Sequence, residues 1–308
     1  MRAPDLACRA NRRLKKTCPE NTILAFEEAV KNGCSVIETD LHISSDGEVV
    51  ICHDIDTNRV FGQDYVVTKT PYKGILSELR TLRAPHLPIP TLKQVLEWAV
   101  KTNESRSEPI KLMLDIKADN DPKRIVDLIL ENLEAVGGVE YWKDKIIYGL
   151  WGAAYYDERL AQFEVLNISV DVLTSIKVAS QIKEKGGRLD CVSVIVVANG
   201  LAYMVEEILD FCEREKVRLW FWTVNSKEDL ELALSKYGER KIDGQPLLEG
   251  IVTDDPATLL SPAKPALTFG YQVRLFLKTR VYLFILFLYR RNIGLRPLLT
   301  VLRKVGFL

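Results

Sequence analysis

The chain has 308 residues, 47% of them apolar, with 42 basic and 42 acidic side chains, enough to bury one large core or two smaller ones. Zero net charge gives no case for a nucleic-acid partner. Six scattered cysteines (Cys8, Cys18, Cys34, Cys52, Cys191, Cys212) without a C-x-x-C pair argue against a zinc site and for free thiols in a reducing compartment.

Residues 1–10 are polar and lack the apolar run of a secretory signal, so the body of the chain is expected to face cytosol. With Arg2, Asp5 and Arg9 charged, they also make a poor buried strand. Next comes Cys18-Pro19-Glu20-Asn21-Thr22 and an amphipathic helix that buries Ile23, Leu24, Phe26, Ala29 and Val30. Asn21 or Thr22 can cap it, and Gly33 can end it. Val36–Ile43 reads as a strand, and alternation puts Glu38, Asp40 and His42 on one face with Ile37, Thr39 and Leu41 on the other. Ser45-Asp46-Gly47 is a turn, and Val49–Ile51 a short second strand that ends at His53-Asp54. Two carboxylates two residues apart, with a histidine returned by a hairpin, suit a hard cation and an acid/base group. Residues 59–90, closed by Pro85, Pro88 and Pro90, read as an insertion in which His86 is structural or exposed.

Further strands are expected at 110–116, 145–151, 163–170, 191–197, 217–223 and 250–253, with helices at 91–100, 122–136, 172–184, 201–215 and 227–237. That alternation predicts a parallel α/β fold, a (β/α)8 TIM barrel whose eighth strand must come from the segment before Asn11. A doubly wound sheet binding a nucleotide would bring a glycine-rich phosphate loop, and none is present. Asp115 ends its strand after Leu-Met-Leu, an unusual place for an acid without a function. Lys117 follows on the same face and would meet a phosphate as a point charge. Trp222 is pocket wall or barrel core, Asn225 a polar rim, and His42 a group standing behind the site.

The expected division is a barrel over 1–257, a linker over 258–268 and a membrane-associating tail over 269–308. Nine Lys or Arg and no Asp or Glu follow Asp255, leaving 33 basic against 42 acidic residues up to that point. Residues 281–289 form an unbroken apolar run flanked by Lys278, Arg280, Arg290 and Arg291. The run is too short to span a bilayer, which takes about 20 residues. Aromatics and leucines bracketed by cations suit an interfacial anchor on anionic lipid; the alternative is a helix packed on the barrel underside.

Together, P-E-N-T (19–22), A-F-E-E-A (25–29), I-E-T-D-L (37–41), S-D-G (45–47) and H-D (53–54) resemble the glycerophosphodiester phosphodiesterase family. L-D-I-K (114–117), W-T-V-N (222–225) and G-I-V-T-D (250–254) are similar to its later strands, so the likeness covers roughly residues 11–257. Within the family the chain looks most like the fungal phospholipases C that cleave phosphatidylglycerol, on L-M-L-D-I-K, Y-G-L-W, T-D-D-P and the extended C-terminus.

The resemblance implies a TIM barrel and a phosphoric diester hydrolase that holds Mg²⁺ or Ca²⁺ on Glu38, Asp40 and Asp115. It further implies His53 as an acid/base group, with Arg12, Lys117, Trp222 and Asn225 binding substrate or phosphate. The substrate glycerol hydroxyl would attack phosphorus, and water would open the cyclic glycerol phosphate. The implied substrate is a glycerophospholipid or glycerophosphodiester, on the cytoplasmic face of a mitochondrial, endoplasmic-reticulum or lipid-droplet membrane. One departure stands out. The family's first catalytic histidine falls on Asn11 in Asn11-Arg12-Arg13, or, with a three-residue insertion, in Cys8-Arg9-Ala10; neither contains histidine. Asparagine cannot exchange a proton near neutral pH. The first strand is therefore expected to be defective or missing. The alternatives to a lipid-cleaving enzyme are an impaired or inactive lipid- or metal-binding relative and a soluble glycerophosphodiesterase.

Overall fold

The computed structural model describes residues 5–9, 18–261 and 267–291. The first half runs β1 (Asp5–Arg9), α1 (Ile23–Lys31), β2 (Val36–Ile43), β3 (Val49–Ile51), α2 (Asn58–Phe61), α3 (Leu92–Glu104), β4 (Lys111–Ile116), α4 (Pro122–Ala135), α5 (Val139–Trp142) and β5 (Ile146–Leu150). Then follow β6 (Glu164–Ser169), α6 (Val172–Glu184), β7 (Cys191–Ile195), α7 (Ala202–Glu215), β8 (Arg218–Trp222) and α8 (Lys227–Tyr237). The last elements are β9 (Lys241–Ile242), β10 (Gln245–Pro246), β11 (Leu248–Thr253), α9 (Pro256–Leu260) and α10 (Phe269–Arg290).

Strands β1, β2, β4, β5, β6, β7, β8 and β11 pair in parallel in that order, and β11 pairs back onto β1 to close a barrel. The expectation of a defective or missing first strand is corrected. Asp5–Arg9 pairs with β11 from Asp5↔Gly250 to Cys8↔Thr253 and with β2 from Ala7↔Val36 to Arg9↔Glu38. Ladder bonds are made by backbone groups, so charged residue types at Asp5 and Arg9 do not forbid the strand. The expectation of free thiols is corrected at Cys34, which is disulfide-bonded; among the described residues Cys18, Cys52, Cys191 and Cys212 are free and buried.

Most crossover helices start at polar caps, α7 after Leu201 being an exception. Thr91 and Gln94 form a reciprocal box at α3, Asp121 caps α4 ahead of Pro122, and Asp171 and Ser226 cap α6 and α8. Their apolar faces pack on the outside of the barrel, while Val36, Met113, Ile147, Leu166, Ile168, Cys191, Trp220 and Val252 fill its interior. Gly250 is required by that filling, because a Cβ there would lie 2.3 Å from the Trp220 ring. Antiparallel β3 extends β2 outside the barrel. The insertion beyond it has its own small core of Val50, Cys52, Phe61, Val67, Leu76, Leu79 and Ile89. His86 belongs to that insertion, its Nδ1 within 2.9 Å of the Thr81 carbonyl oxygen.

Helix α10 packs on the turn Val196–Gly200 that follows β7. The Tyr282 hydroxyl donates to the Val170 carbonyl after β6 (2.7 Å), and the Tyr271 hydroxyl donates to Asp229 at the start of α8 (2.9 Å). These partners all lie at the C-terminal ends of strands, so the helix stands beside the barrel mouth and not on its underside. Among the described residues no helix is long and apolar enough to cross a membrane.

Gly250→Ala is expected to lower unfolding stability by about 1–3 kcal/mol through overpacking against Trp220. Gly152→Ala, where a Cβ would meet nothing within 4 Å, should change it by less than about 0.5 kcal/mol. Urea unfolding of the two variants beside the parent chain measures both.

Candidate active site

The parallel register of β2 and β4 sets Asp40 directly opposite Asp115, with Glu38 one pleat below Asp40 on the same face. All three side chains are at most 2% exposed, and one carboxylate oxygen from each lies within 4.8 Å of the others. Like charges so close in a buried place repel unless compensated. Lys117 ion-pairs with Asp40 and with Asp115, the latter at 2.7 Å. The Trp151 indole Nε1–H donates to Asp115 Oδ1 (2.7 Å), and the Asn21 amide donates to Asp40 Oδ2 (2.7 Å). The three carboxylates make a donor set that is all oxygen. Such a set fits a hard divalent cation.

The hairpin delivers His53 to this cluster. Backbone N–H of Cys52 donates to the Asp40 carbonyl (3.0 Å), so His53 emerges next to Asp40. Its Nδ1 stands 2.8 Å from Asp54 Oδ1. Burial alone would raise the Asp54 carboxyl, but hydrogen bonds from His53 and Arg59 outweigh it and hold the group well below the usual carboxylate range. An ionised Asp54 only accepts, so His53 Nδ1 carries the proton and Nε2 is the basic nitrogen. His42 is built alike but set deeper: its Nδ1 faces Asp119 at 3.1 Å, and its buried Nε2 has no partner among the described residues. Burial raises and the His42 hydrogen bond lowers the Asp119 carboxyl, and the lowering wins.

Trp151 and Trp222 meet edge to face, ring centroids 5.8 Å apart, at the end of the barrel interior. Trp222 Nε1–H reaches the carbonyls of Ser169 and Ser193, each at 3.2 Å, so its ring closes the packed interior from above while staying half-buried. Asn225 braces the strand ends. Its amide donates to Asp254 (3.0 Å) and accepts from the Asp254 backbone (2.8 Å), tying the end of β8 to that of β11. Asn11 and Arg12 lie outside the described residues.

Asn21, Trp151, Asp119 and Arg59 join the site without having been singled out as functional from the sequence. Signals for two existed in the quoted motifs. Asn21 belongs to P-E-N-T and takes a left-handed backbone (φ 54°), which asparagine tolerates better than most side chains. Trp151 ends Y-G-L-W, two residues past Gly149, where a Cβ would press on the Leu114 carbonyl at 2.9 Å.

At the opposite end of the barrel a second group comprises Glu164, Cys191 and Glu249. There Arg218 pairs with both glutamates and Lys111 with Glu164. Burial pushes the Cys191 thiol up, so it stays protonated and donates to Glu249 (2.9 Å). That group is neutralised by its own neighbours.

A family model described as the glycerophosphoryl diester phosphodiesterase family matches residues 12–258. A glycerophosphodiester phosphodiesterase of Caldanaerobacter subterraneus is 26% identical over 267 residues, which is 82% of this chain and 95% of that protein. Human lysophospholipase D is 32% identical over 139 residues, 40% of this chain and 41% of that one. Among solved structures, a phosphodiesterase of Oleispira antarctica in complex with its product sn-glycerol-3-phosphate has a TM-score of 0.65 at 17% identity, covering 83% of this chain and 95% of its own. A glycerophosphodiester phosphodiesterase of Parabacteroides distasonis has a TM-score of 0.60 at 18% identity, covering 82% and 93%. These two likenesses carry the fold alone. With the matched model spanning most of the chain, the chain belongs to the glycerophosphoryl diester phosphodiesterase family, whose members are phosphodiesterases that hydrolyse glycerophosphodiesters.

Proposed function

We propose that this chain cleaves the headgroup diester of a glycerophospholipid at an anionic membrane surface, and that phosphatidylglycerol, split into diacylglycerol and glycerol phosphate, is its substrate. The observation that carries this reading is the outer face of α10. Phe269, Val273, Phe276, Leu277, Phe284 and Phe287 are exposed on a helix beside the barrel mouth, interleaved with exposed Arg274, Lys278 and Arg280. Arg280 stacks over Phe276 at 4.7 Å, and Arg291 over Phe287 at 5.2 Å. Aromatic side chains among cations suit the headgroup level of anionic lipid. A mouth held there meets a diester that a soluble barrel would not reach. The likeness to fungal phospholipases C supports the choice of headgroup, and the cytoplasmic face of a mitochondrial, endoplasmic-reticulum or lipid-droplet membrane is the place proposed.

Glu38, Asp40 and Asp115 would hold Mg²⁺ or Ca²⁺, which when bound would polarise a phosphoryl oxygen and stabilise the charge that develops on it. His53, with Nδ1 committed to Asp54, exchanges its proton at Nε2. The headgroup glycerol hydroxyl loses its proton and bonds to phosphorus as the diacylglycerol oxygen departs and gains one. Water then opens the cyclic glycerol phosphate. Asn11 favours a second reading, a relative that binds lipid and cation without turnover, because asparagine cannot serve as the second proton carrier.

Mg²⁺ or Ca²⁺ is expected to raise the unfolding temperature of the parent chain, by stabilisation of about 2.7 kcal/mol at a hundred times the dissociation constant, and to have little effect on Glu38→Gln. Calorimetric scans with and without the ion check this. On phosphatidylglycerol liposomes the parent chain should release diacylglycerol, and His53→Ala should slow release about 10²–10⁴-fold. Phe276→Ser with Phe284→Ser should lower liposome turnover about tenfold or more while sparing a soluble glycerophosphodiester. Hydrolysis of soluble diesters alone, without recruitment to liposomes, would sink the lipid reading. Binding without turnover, unchanged in Asn11→His, would establish the second reading instead.

A further inference from the structure

Arg59, on α2 in the insertion, joins two separate loops near the barrel mouth. Its guanidinium donates to both Glu20 oxygens, Nη1 to Oε2 at 2.7 Å, and its Nε donates to Asp54 Oδ2. Asp54 turns its other oxygen to His53 Nδ1. Glu20 precedes Asn21, whose amide holds Asp40. One chain of charge-assisted bonds thus runs from the proton-exchanging imidazole through Asp54 and Arg59 to the loop that orients a carboxylate of the acidic cluster.

The residue types suit this task. Both Asp54 oxygens and both Glu20 oxygens are engaged, and their side chains are only 15% and 11% exposed. Gripping one carboxylate with two nitrogens while the third nitrogen meets another carboxylate requires the planar, five-donor guanidinium; a lysine ammonium cannot span both. An aspartate adjacent in sequence to its histidine would otherwise turn to water. Arg59 removes that option.

We propose that Arg59 is the positioning residue for His53: by fixing Asp54 against the Glu20 loop it holds the imidazole as its Nδ1–H tautomer and so dedicates Nε2 to proton exchange. This rests on the phosphodiesterase reading for its consequence in turnover, but not for its effect on the ring. The chain has three histidines, so a ¹⁵N-histidine spectrum resolves each imidazole, with His53→Ala assigning the signal. At a pH where free imidazole is neutral, the parent chain should show His53 as the Nδ1–H tautomer. Arg59→Met should move it towards a tautomer mixture while the His42 and His86 signals, and hence the fold, stay put.

With a soluble glycerophosphodiester, Arg59→Met should lower kcat about 10²-fold, the low end for a disabled acid/base group, with KM within about twofold. Arg59→Lys should give both effects at smaller amplitude, which keeps the test open should the methionine variant unfold. An unchanged His53 tautomer in both variants overturns the proposal, as does a kcat loss without any spectral change. A parent chain that turns over nothing but whose His53 signal switches on substitution upholds the positioning role and sinks the phosphodiesterase reading alone.

Discussion

Three buried carboxylates within 4.8 Å of one another form the constraint around which the mouth of this barrel is organised. Left alone, such a group would expel its charge by taking up protons or by opening to water. The surrounding residues compensate it instead. Lys117 supplies a cation, and Trp151 and Asn21 supply donors to Asp115 and Asp40. Each donor comes from a different strand end or loop, so the cluster draws β2, β4, β5 and the loop before α1 together. Packing below it then follows: the Trp151–Trp222 pair caps the interior, and Trp220 fills the space that Gly250 leaves.

The two ends of the barrel handle buried acids in opposite ways. At the N-terminal end, Arg218 and Lys111 pair with Glu164 and Glu249, while a protonated Cys191 completes the hydrogen bonding. Burial and the neighbouring Glu164 push Glu249 up, a direction that reduces charge there further. That arrangement is self-satisfied and belongs to the stability face of such barrels. At the C-terminal end Glu38, Asp40 and Asp115 instead offer an all-oxygen donor set that fits a divalent cation.

How much of this was legible in the sequence depends on the range of the interaction. Strand alternation in Val36–Ile43 placed Glu38 and Asp40 on one face, because a period of two needs no distant information. Helices α6 and α8 have the expected bounds, since Asp171 and Ser226 announce their starts locally. The first strand was misjudged because side-chain polarity says little about a segment whose backbone is bonded on both flanks. Arg59 read as an ordinary residue of an insertion; its partners lie 39 and 5 positions away, and no local pattern pairs them. Asn225 carried the right motif, but its bonds to the Asp254 turn arise only from the pairing of β8 with β11.

The same limit of range governs the C-terminal helix. Composition separates a basic, apolar tail from an acidic body, but it cannot say on which side of a barrel the tail rests. Here that choice is fixed by small contacts: Gly200 lets α10 approach so closely that a Cβ would collide with Thr279, and two tyrosine hydroxyls bond across to Val170 and Asp229. All are at the same C-terminal end of the barrel as the acidic cluster, after other strands. A helix whose inner face is pinned by Tyr271, Tyr282 and Leu286 has committed that face to the barrel. Phe269, Phe276, Phe284 and Phe287 stay more than half exposed, outside that buried core. Exposed apolar surface of that kind is disfavoured in water and is stabilised by a second apolar phase. Because helix and mouth share one side, the lipid surface we propose for the phenylalanines would also approach the carboxylates, coupling substrate access to attachment.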